Sequence, residues 1–525
     1  MRCGSASSRR RHVRVVRFAT LAIGLSGALA CIPPPALAAE SGDAVHTAAS
    51  FVDSVGVVTH FRYADTTYGE VDALLAKVEA MGVHHVRDGL TPSPSPQLIA
   101  AFHKLPDHGL KLNLVVGSAG ISDGVLPDPS ALLTVAHDNG LRSVVESIET
   151  ANEWDSKGGP TWLDDLRTYQ CGLFDAVHTN PEWSDVPVIG PSVARRFRVP
   201  LLTGMADCQD YVNAHNYANG GPPEDYLDLI AQARANAPGK PIIVTETGYH
   251  TALNRKQNQQ PVTEDVKAQY LLRTLLENYQ AGVTRTYVYQ LADEREDPTL
   301  TEQEAYFGLI RHDLSETPAY QAIQALQSLL ADPADGGSAA PAAGVTVTAT
   351  PGGVGTATGE IEHLAFTKSD GTEYVVLWQR GTLPDPAAAK TTVRLDFAKP
   401  SAAWVIDGRQ VTQQPQGTSI TVTGLERVKV VQVGGRVPTF TASAPRTAQP
   451  AATEKAGGRG GLLALLGALG LLLAAGGGAL VAVLTRRARN SQTGMPAAPH
   501  LTEVAPTSPR RTGGDHRGPE PPAPG

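Results

Sequence analysis

Between residues 51 and 333 the chain alternates short β-branched or apolar runs with longer stretches of helical spacing, a pattern that predicts repeated βα units. Strands are predicted at 55–60 (VGVVTH), 84–88, 112–116 (LNLVV), 144–155 (VVESIETANEWD), 186–190, 212–217 (VNAHNY), 242–245 and 285–290 (RTYVYQ). Helices are predicted at 68–81, 95–103, 129–139, 161–179, 224–235, 264–279 and 318–331. Eight strands with their helices in under 300 residues have the size of a (β/α)₈ TIM barrel of the α/β class, placed at 45–333. A doubly wound open sheet is the alternative, but no Gly-rich phosphate loop follows the first strand.

Beyond the barrel the pattern changes. Residues 334–344 form a linker by composition, and 345–435 hold seven short alternating runs separated by Gly, Asp and Pro turns, which predict a small all-β sandwich domain. A Pro/Ala/Thr stalk at 436–460 leads to 461–484, 24 residues without a charge, followed at once by Arg486, Arg487 and Arg489. That run is long enough to cross about 30 Å of hydrocarbon, so one C-terminal transmembrane helix is expected, with a disordered cytoplasmic tail at 485–525.

The N-terminus completes this orientation. Arg9, Arg10, Arg11, Arg14 and Arg17 precede an apolar run and small residues up to Ala38, the build of a signal peptide at 1–38. Ser8-Arg9-Arg10 hints at twin-arginine export, and Cys31 raises a lipoprotein site, although Ala28 stands where a leucine is wanted. The expected location is therefore the cell membrane, single-pass, with the N-terminal domains outside.

Hydrophobic residues at 42% and charged residues at 18% are a globular balance, while 52 Gly and 39 Pro allow for linkers as well as turns. Between the signal and the tail stand 32 Lys+Arg against 49 Asp+Glu, a net charge of −17. Such an exterior is a poor partner for nucleic acid or anionic lipid. Cys171 and Cys208 are left outside the cell, where they either form a disulfide or remain two buried thiols.

In this fold, catalytic groups come from the C-terminal ends of barrel strands. Glu153 ends the fourth predicted strand, His215 and Tyr217 the sixth, and Glu246 the seventh. Strand alternation puts Glu149, Ala151 and Glu153 on one face, and likewise Ile242, Val244 and Glu246, so the carboxylates converge if those faces point inward. Two glutamates in unlike environments are the apparatus of glycoside hydrolysis, one protonating the leaving oxygen and the other attacking the anomeric carbon. A separation of about 5–5.5 Å between them means retention, and about 6.5–9.5 Å inversion. Arg87 is placed to keep a neighbouring carboxylate charged, Tyr217 to donate to the nucleophile, and Asn152 to bind a sugar 2-hydroxyl. Glu149, deeper along its strand, reads as a buried partner of Arg87. His60 and His85 are candidates for the pocket lining, against the plainer reading of core histidines. No metal-ligand spacing and no Gly-x-Ser-x-Gly elbow occur, and no cofactor is expected.

Asn152-Glu153, His215-Asn216-Tyr217, Thr245-Glu246-Thr247-Gly248 and the closing segment FGLIRHDLSETPAYQAI resemble the clan A retaining glycoside hydrolases, which include families 5 and 39. The resemblance covers about residues 51–333. It implies Glu153 as acid/base and Glu246 as nucleophile, with Asn152, Arg87, His215 and Tyr217 around them and a polysaccharide or oligosaccharide as substrate. Trp154 stands where many members have proline. Strand eight ends Tyr289-Gln290-Leu291 where the clan places a tryptophan floor, so the sugar platform falls to Tyr289, Trp154 or Tyr249. A non-catalytic glycan-binding surface protein and a wall-glycan transglycosylase using the same pair are the rival readings.

Overall fold

Eight parallel strands alternate with helices as the sequence pattern implies. The structure is a computed structural model and describes residues 45–117, 125–255, 259–332, 344–350, 360–385, 391–438 and 440. The expected signal, most of the linker and stalk, the apolar run 461–484 and the tail lie outside the described residues. Among the described residues no helix is long and apolar enough to cross a membrane.

The chain begins with β1 (Val45–Thr47) and α1 (Ala48–Asp53), then enters the barrel. In order come β2 (Val55–Val58), α2 (Val71–Met81), β3 (His85–Leu90), α3 (Pro96–Lys104), β4 (Lys111–Val116), α4 (Pro129–Asp138), β5 (Val145–Glu149) and α5 (Trp162–His178). The second half is β6 (Val188–Ile189), β7 (Val212–His215), α6 (Leu227–Ala235), β8 (Ile242–Thr247), α7 (Glu264–Gln280), β9 (Val283–Val288) and α8 (Pro318–Leu330). Only 3₁₀ turns stand between β6 and β7, at Arg196–Leu201 and Ala206–Cys208, where the sequence pattern also offered no helix.

The strand order β6-β5-β4-β3-β2-β9-β8-β7 is parallel throughout, and a single bridge from Ile189 to Tyr211 nearly closes the ring. Helix ends follow local chemistry: Ser95, Thr263 and Thr317 cap α3, α7 and α8 through side-chain oxygens, and proline opens α3, α4 and α8. The Cys171–Cys208 disulfide ties α5 to the loop after β6.

The C-terminal part departs from seven short strands in two stacked sheets. It has six strands, β10 (Val345–Thr350), β11 (Ile361–Thr367), β12 (Glu373–Gln379), β13 (Thr392–Asp407), β14 (Gln410–Thr423) and β15 (Lys429–Val433), and β1 joins them by pairing parallel with β11. The runs TTVRLDF and AAWVID are one strand: the Lys399-Pro400 interruption reads as a turn, but the backbone stays extended through register shifts between Asp396 and Ala403. β13 therefore pairs with β10 along its first half and with β15 along its second, so a single folded-over sheet replaces a sandwich of two.

This β domain rests on the barrel. Alternate residues of β12 divide between two cores: Val375 and Leu377 pack with Val393, Leu395 and Val431, while Val376 and Trp378 join the barrel's core. The polar face of α7, which by pattern alone would face water, is covered instead. Trp378 Nε1 donates to Glu277 at 3.0 Å, Arg273 to the Gly381 carbonyl at 2.9 Å, and Val428 N–H to Gln269 at 2.8 Å.

Burial pushes the Glu277 carboxyl up to about 7 against the pull of Arg380. An acid whose folded value exceeds its usual 4.5 holds its proton more tightly when folded, so its contribution is full at low pH and lost as pH climbs through about 7. The loss is of the order of 3 kcal/mol. Glu277→Gln, which stays neutral, is expected to exceed the parent in stability at pH 8 by up to about 3 kcal/mol and at pH 5 by less than about 1 kcal/mol. Urea unfolding at the two pH values checks this, and an equal change at both would contradict it.

Candidate active site

The barrel strands bring their charged residues together around one guanidinium. Arg87, on β3, is 3% exposed and donates through Nε and Nη2 to both oxygens of Glu149 on β5, each at 2.7 Å. Its Nη1 reaches Glu246 Oε1 on β8 at 2.6 Å, and Nη2 also meets Asn152 Oδ1 at 2.7 Å. Glu149, wholly buried, collects further donors from Asn113 at 2.8 Å, Thr245 at 3.1 Å and Asn213 at 3.3 Å. It is thus the saturated partner of Arg87 expected from its depth.

Glu246 is differently placed. Its Oε2 accepts from the Tyr217 hydroxyl at 2.8 Å and lies 3.6 Å from His215 Nδ1. Burial works against its charge, but His215, Arg87 and the Tyr217 hydrogen bond outweigh it and hold the carboxyl below its usual value. The group therefore stands ionised at neutral pH.

His215 links this carboxylate to Glu153. Its Nδ1 is 2.8 Å from Glu153 Oε1, and its Nε2 is 3.0 Å from Thr245 Oγ1. The single hydroxyl hydrogen of Thr245 is directed at Glu149 or Asn213, both acceptors, so Thr245 accepts from His215 Nε2–H. One proton is then left for the contact between Nδ1 and Glu153. Burial opposes the imidazolium, yet Glu246 and Glu153 raise His215 above its ordinary value.

One ligand atom from each of Glu153, His215 and Glu246 lies within 4.8 Å of the others. The three are the one set among the described residues with metal-ligand spacing, but the Arg87 guanidinium on Glu246 opposes a cation there. A carboxyl oxygen of Glu153 is therefore within 4.8 Å of one of Glu246.

Backbone geometry differs from the simple alternation expected. β5 ends at Glu149, and Glu153 lies four residues further on with φ +47° and ψ 45°, at the start of the turn Trp154–Ser156. A left-handed conformation costs a non-glycine residue of the order of 1 kcal/mol and is concentrated at functional sites. In β8 the register shifts between Val244 and Thr247, and His215 pairs with Glu246. This bulge lets consecutive residues, Thr245 and Glu246, both reach His215, where pleating alone would have sent them apart.

A cavity of about 780 Å³ opens over these groups, lined by His60, Asn152, Glu153, His215, Tyr217, Glu246 and Tyr289. Burial, aided by Arg62, pushes His60 down to about 3, so its imidazole is neutral, and its buried Nε2 has no hydrogen-bond partner. Tyr289 packs edge-on against Tyr217 and Phe307 and donates to Glu304 at 2.8 Å.

Two expected platforms are absent from this lining. Trp154 is wholly buried in the core, so closely covered by Gly158 that a Cβ there would come within 2.2 Å of its indole nitrogen. Tyr249 is buried against Tyr270 with ring centroids 5.2 Å apart. His85 lies away from the cavity, between Glu146 at 2.8 Å and Asp53 at 3.0 Å. Sequence reasoning missed the loop residues Arg62, Tyr63, Arg195, Arg196, Asn219 and Glu304, which also line it. The run Ala194-Arg195-Arg196-Phe197-Arg198 was the available signal, since it follows a barrel strand in an otherwise acidic chain.

Arg87→Met leaves Glu149 and Glu246 buried without their cation, and a loss of about 3–5 kcal/mol in unfolding free energy is expected. Chemical denaturation at pH 7 measures it, and a loss below about 1 kcal/mol would contradict the charge balance described.

No protein-family model matches the sequence, and no curated protein matches it. Among solved structures, a family 39 glycoside hydrolase from the gut symbiont Bacteroides cellulosilyticus WH2 aligns with a TM-score of 0.53 at 18% identity, over 73% of this chain and 82% of that one. A family 39 β-xylosidase from Caulobacter crescentus aligns at 0.49 and 13% identity, over 73% and 96%. The first of these likenesses establishes the architecture, a (β/α)₈ barrel followed by a β domain.

Proposed function

We propose that this protein is a retaining glycoside hydrolase with Glu246 as nucleophile and Glu153 as acid/base. One observation carries the reading: Glu153 and Glu246 approach within 4.8 Å at the mouth of a barrel, with His215 between them. Carboxyl oxygens that close favour the separation of about 5–5.5 Å of retaining enzymes over the about 6.5–9.5 Å of inverting ones.

In the first step Glu246 attacks the anomeric carbon, the bond to the leaving oxygen breaks, and Glu153 transfers its proton to that oxygen. In the second, water attacks the same carbon, Glu153 takes the water's proton, and the bond to Glu246 breaks. Arg87 and Tyr217 keep Glu246 charged for attack, and their hydrogen bonds make it a good leaving group afterwards. His215, in contact with Glu153, is placed to hold the proton that the acid gives and recovers. The predicted signal, the uncharged run 461–484 and the arginines after it support action at the outer face of a cell membrane, on a glycan near the envelope.

Glu153→Gln is expected to slow hydrolysis by about 10²–10⁴-fold for sugar or alcohol leaving groups, and far less in the glycosylation step for acidic phenols, which depart without a proton. Glu246→Gln is expected to abolish turnover whatever the leaving group. Rates on a series of aryl glycosides, with circular dichroism to check folding, test both. Full activity in either variant would end the proposal.

A further inference from the structure

Beyond the catalytic pair, the cavity has a charge opposite to that of the chain around it. The segment between signal and tail is strongly acidic, with a net charge of −17, yet Arg62, Arg195 and Arg196 all line the cavity. These cations are not needed to balance the glutamates, because Arg87 pairs with Glu149 and Glu246, and His215 with Glu153. The other lining carboxylate, Glu304, is bonded by Tyr289 and Gln303.

Two of the three arginines form no ion pair among the described residues, although Glu294 and Asp88 lie within electrostatic reach of Arg62. Arg62 is half-buried with its guanidinium 4.3 Å from the centre of the Tyr63 ring and hydrogen-bonded to that residue's hydroxyl, and no carboxylate pairs with it among the described residues. Arg195 is exposed and reaches only the Asp155 carbonyl, at 3.5 Å. Arg196 is paired with Asp228 at 2.9 Å and stacks 4.5 Å from the Tyr226 ring.

The loop presenting Arg195 is also held in register with the acid. Asp155, two residues after Glu153, accepts from Ala194 N–H at 2.8 Å and from Arg198, whose Nη1 reaches the Asp155 carbonyl at 2.6 Å. The disulfide at Cys208 fixes the far end of the same loop to α5. An arginine fork held beside a polar cavity without its own anion is suited to a planar or tetrahedral oxyanion.

We infer that the substrate is an anionic glycan, carrying a uronate carboxylate or a sulfate ester that Arg62 and Arg195 engage while Glu153 and Glu246 act on a neighbouring glycosidic bond. This rests on the cavity being the glycan site proposed above. It narrows the substrate to acidic polysaccharides and oligosaccharides.

The test is equilibrium binding by the purified full chain in detergent, read by titration calorimetry on matched pairs. Oligosaccharides of polygalacturonate, alginate and hyaluronan are each set beside their carboxyl-reduced form, and those of chondroitin sulfate beside their desulfated form. The tightest ligand is expected to be acidic, bound at least about tenfold better than its neutral counterpart, with a preference that weakens as salt rises. Whether carboxyl reduction or desulfation removes the preference identifies the anion. The double variant Arg62→Gln, Arg195→Gln should bring the members of that pair to within about threefold. A neutral tightest ligand, the absence of any acidic preference, or a preference unchanged in the double variant overturns the inference. Hydrolysis of neutral aryl glycosides by the same preparation would then leave the two-glutamate reading standing.

Discussion

The site depends on one buried cation. Arg87 reaches across the barrel from β3 to Glu149 on β5 and to Glu246 on β8, so three strands far apart in sequence share one charge balance. Two carboxylates and one guanidinium out of water are costly, and the arrangement persists because nearly every donor and acceptor is satisfied at about 2.6–3.3 Å. The unequal division of that network gives it chemical use. Glu149 takes two arginine donors and three neutral ones and is spent on structure, whereas Glu246 takes one arginine donor and a phenol and still faces the cavity.

Glu153 stands outside this balance and is controlled by other means. Its backbone is held in a left-handed conformation by a turn built on Trp154, whose burial packs that turn onto the core. Its carboxyl touches His215, which leans in turn on Thr245 and through it on Glu149. Glu153 and Glu246 are thus wired to the same buried residues by different routes.

Much of this was legible in the sequence. The barrel followed from the alternation of β-branched and helical runs, because parallel strands covered by helices must be apolar on both faces. Arg87, His215, Tyr217 and Glu246 were singled out because strand ends are where this fold puts chemistry, and the structure brings them together. What failed was local. Alternation does not extend past Glu149, where β5 stops, nor through the bulge at Thr245. Trp154 and Tyr249 looked like sugar platforms because an aromatic beside a catalytic residue reads the same whether it faces a ligand or the core, and packing decided for the core. The arginine rim was hidden because Arg62 and Arg195 come from unrelated loops, and only the nearly closed ring brings them to one cavity. The cover over the polar face of α7 was not legible either, since its partner is a β domain that sequence alone treats as a separate body.

Glu246 is proposed to form a covalent glycosyl intermediate while Glu153 moves the proton. The most direct measurement is the anomeric configuration of the first-formed product, followed by proton NMR during early turnover of an aryl glycoside, before mutarotation. Net retention is the predicted result. A product of inverted configuration would contradict the reading, because inversion uses a water held between the carboxyls in place of a covalent bond to Glu246.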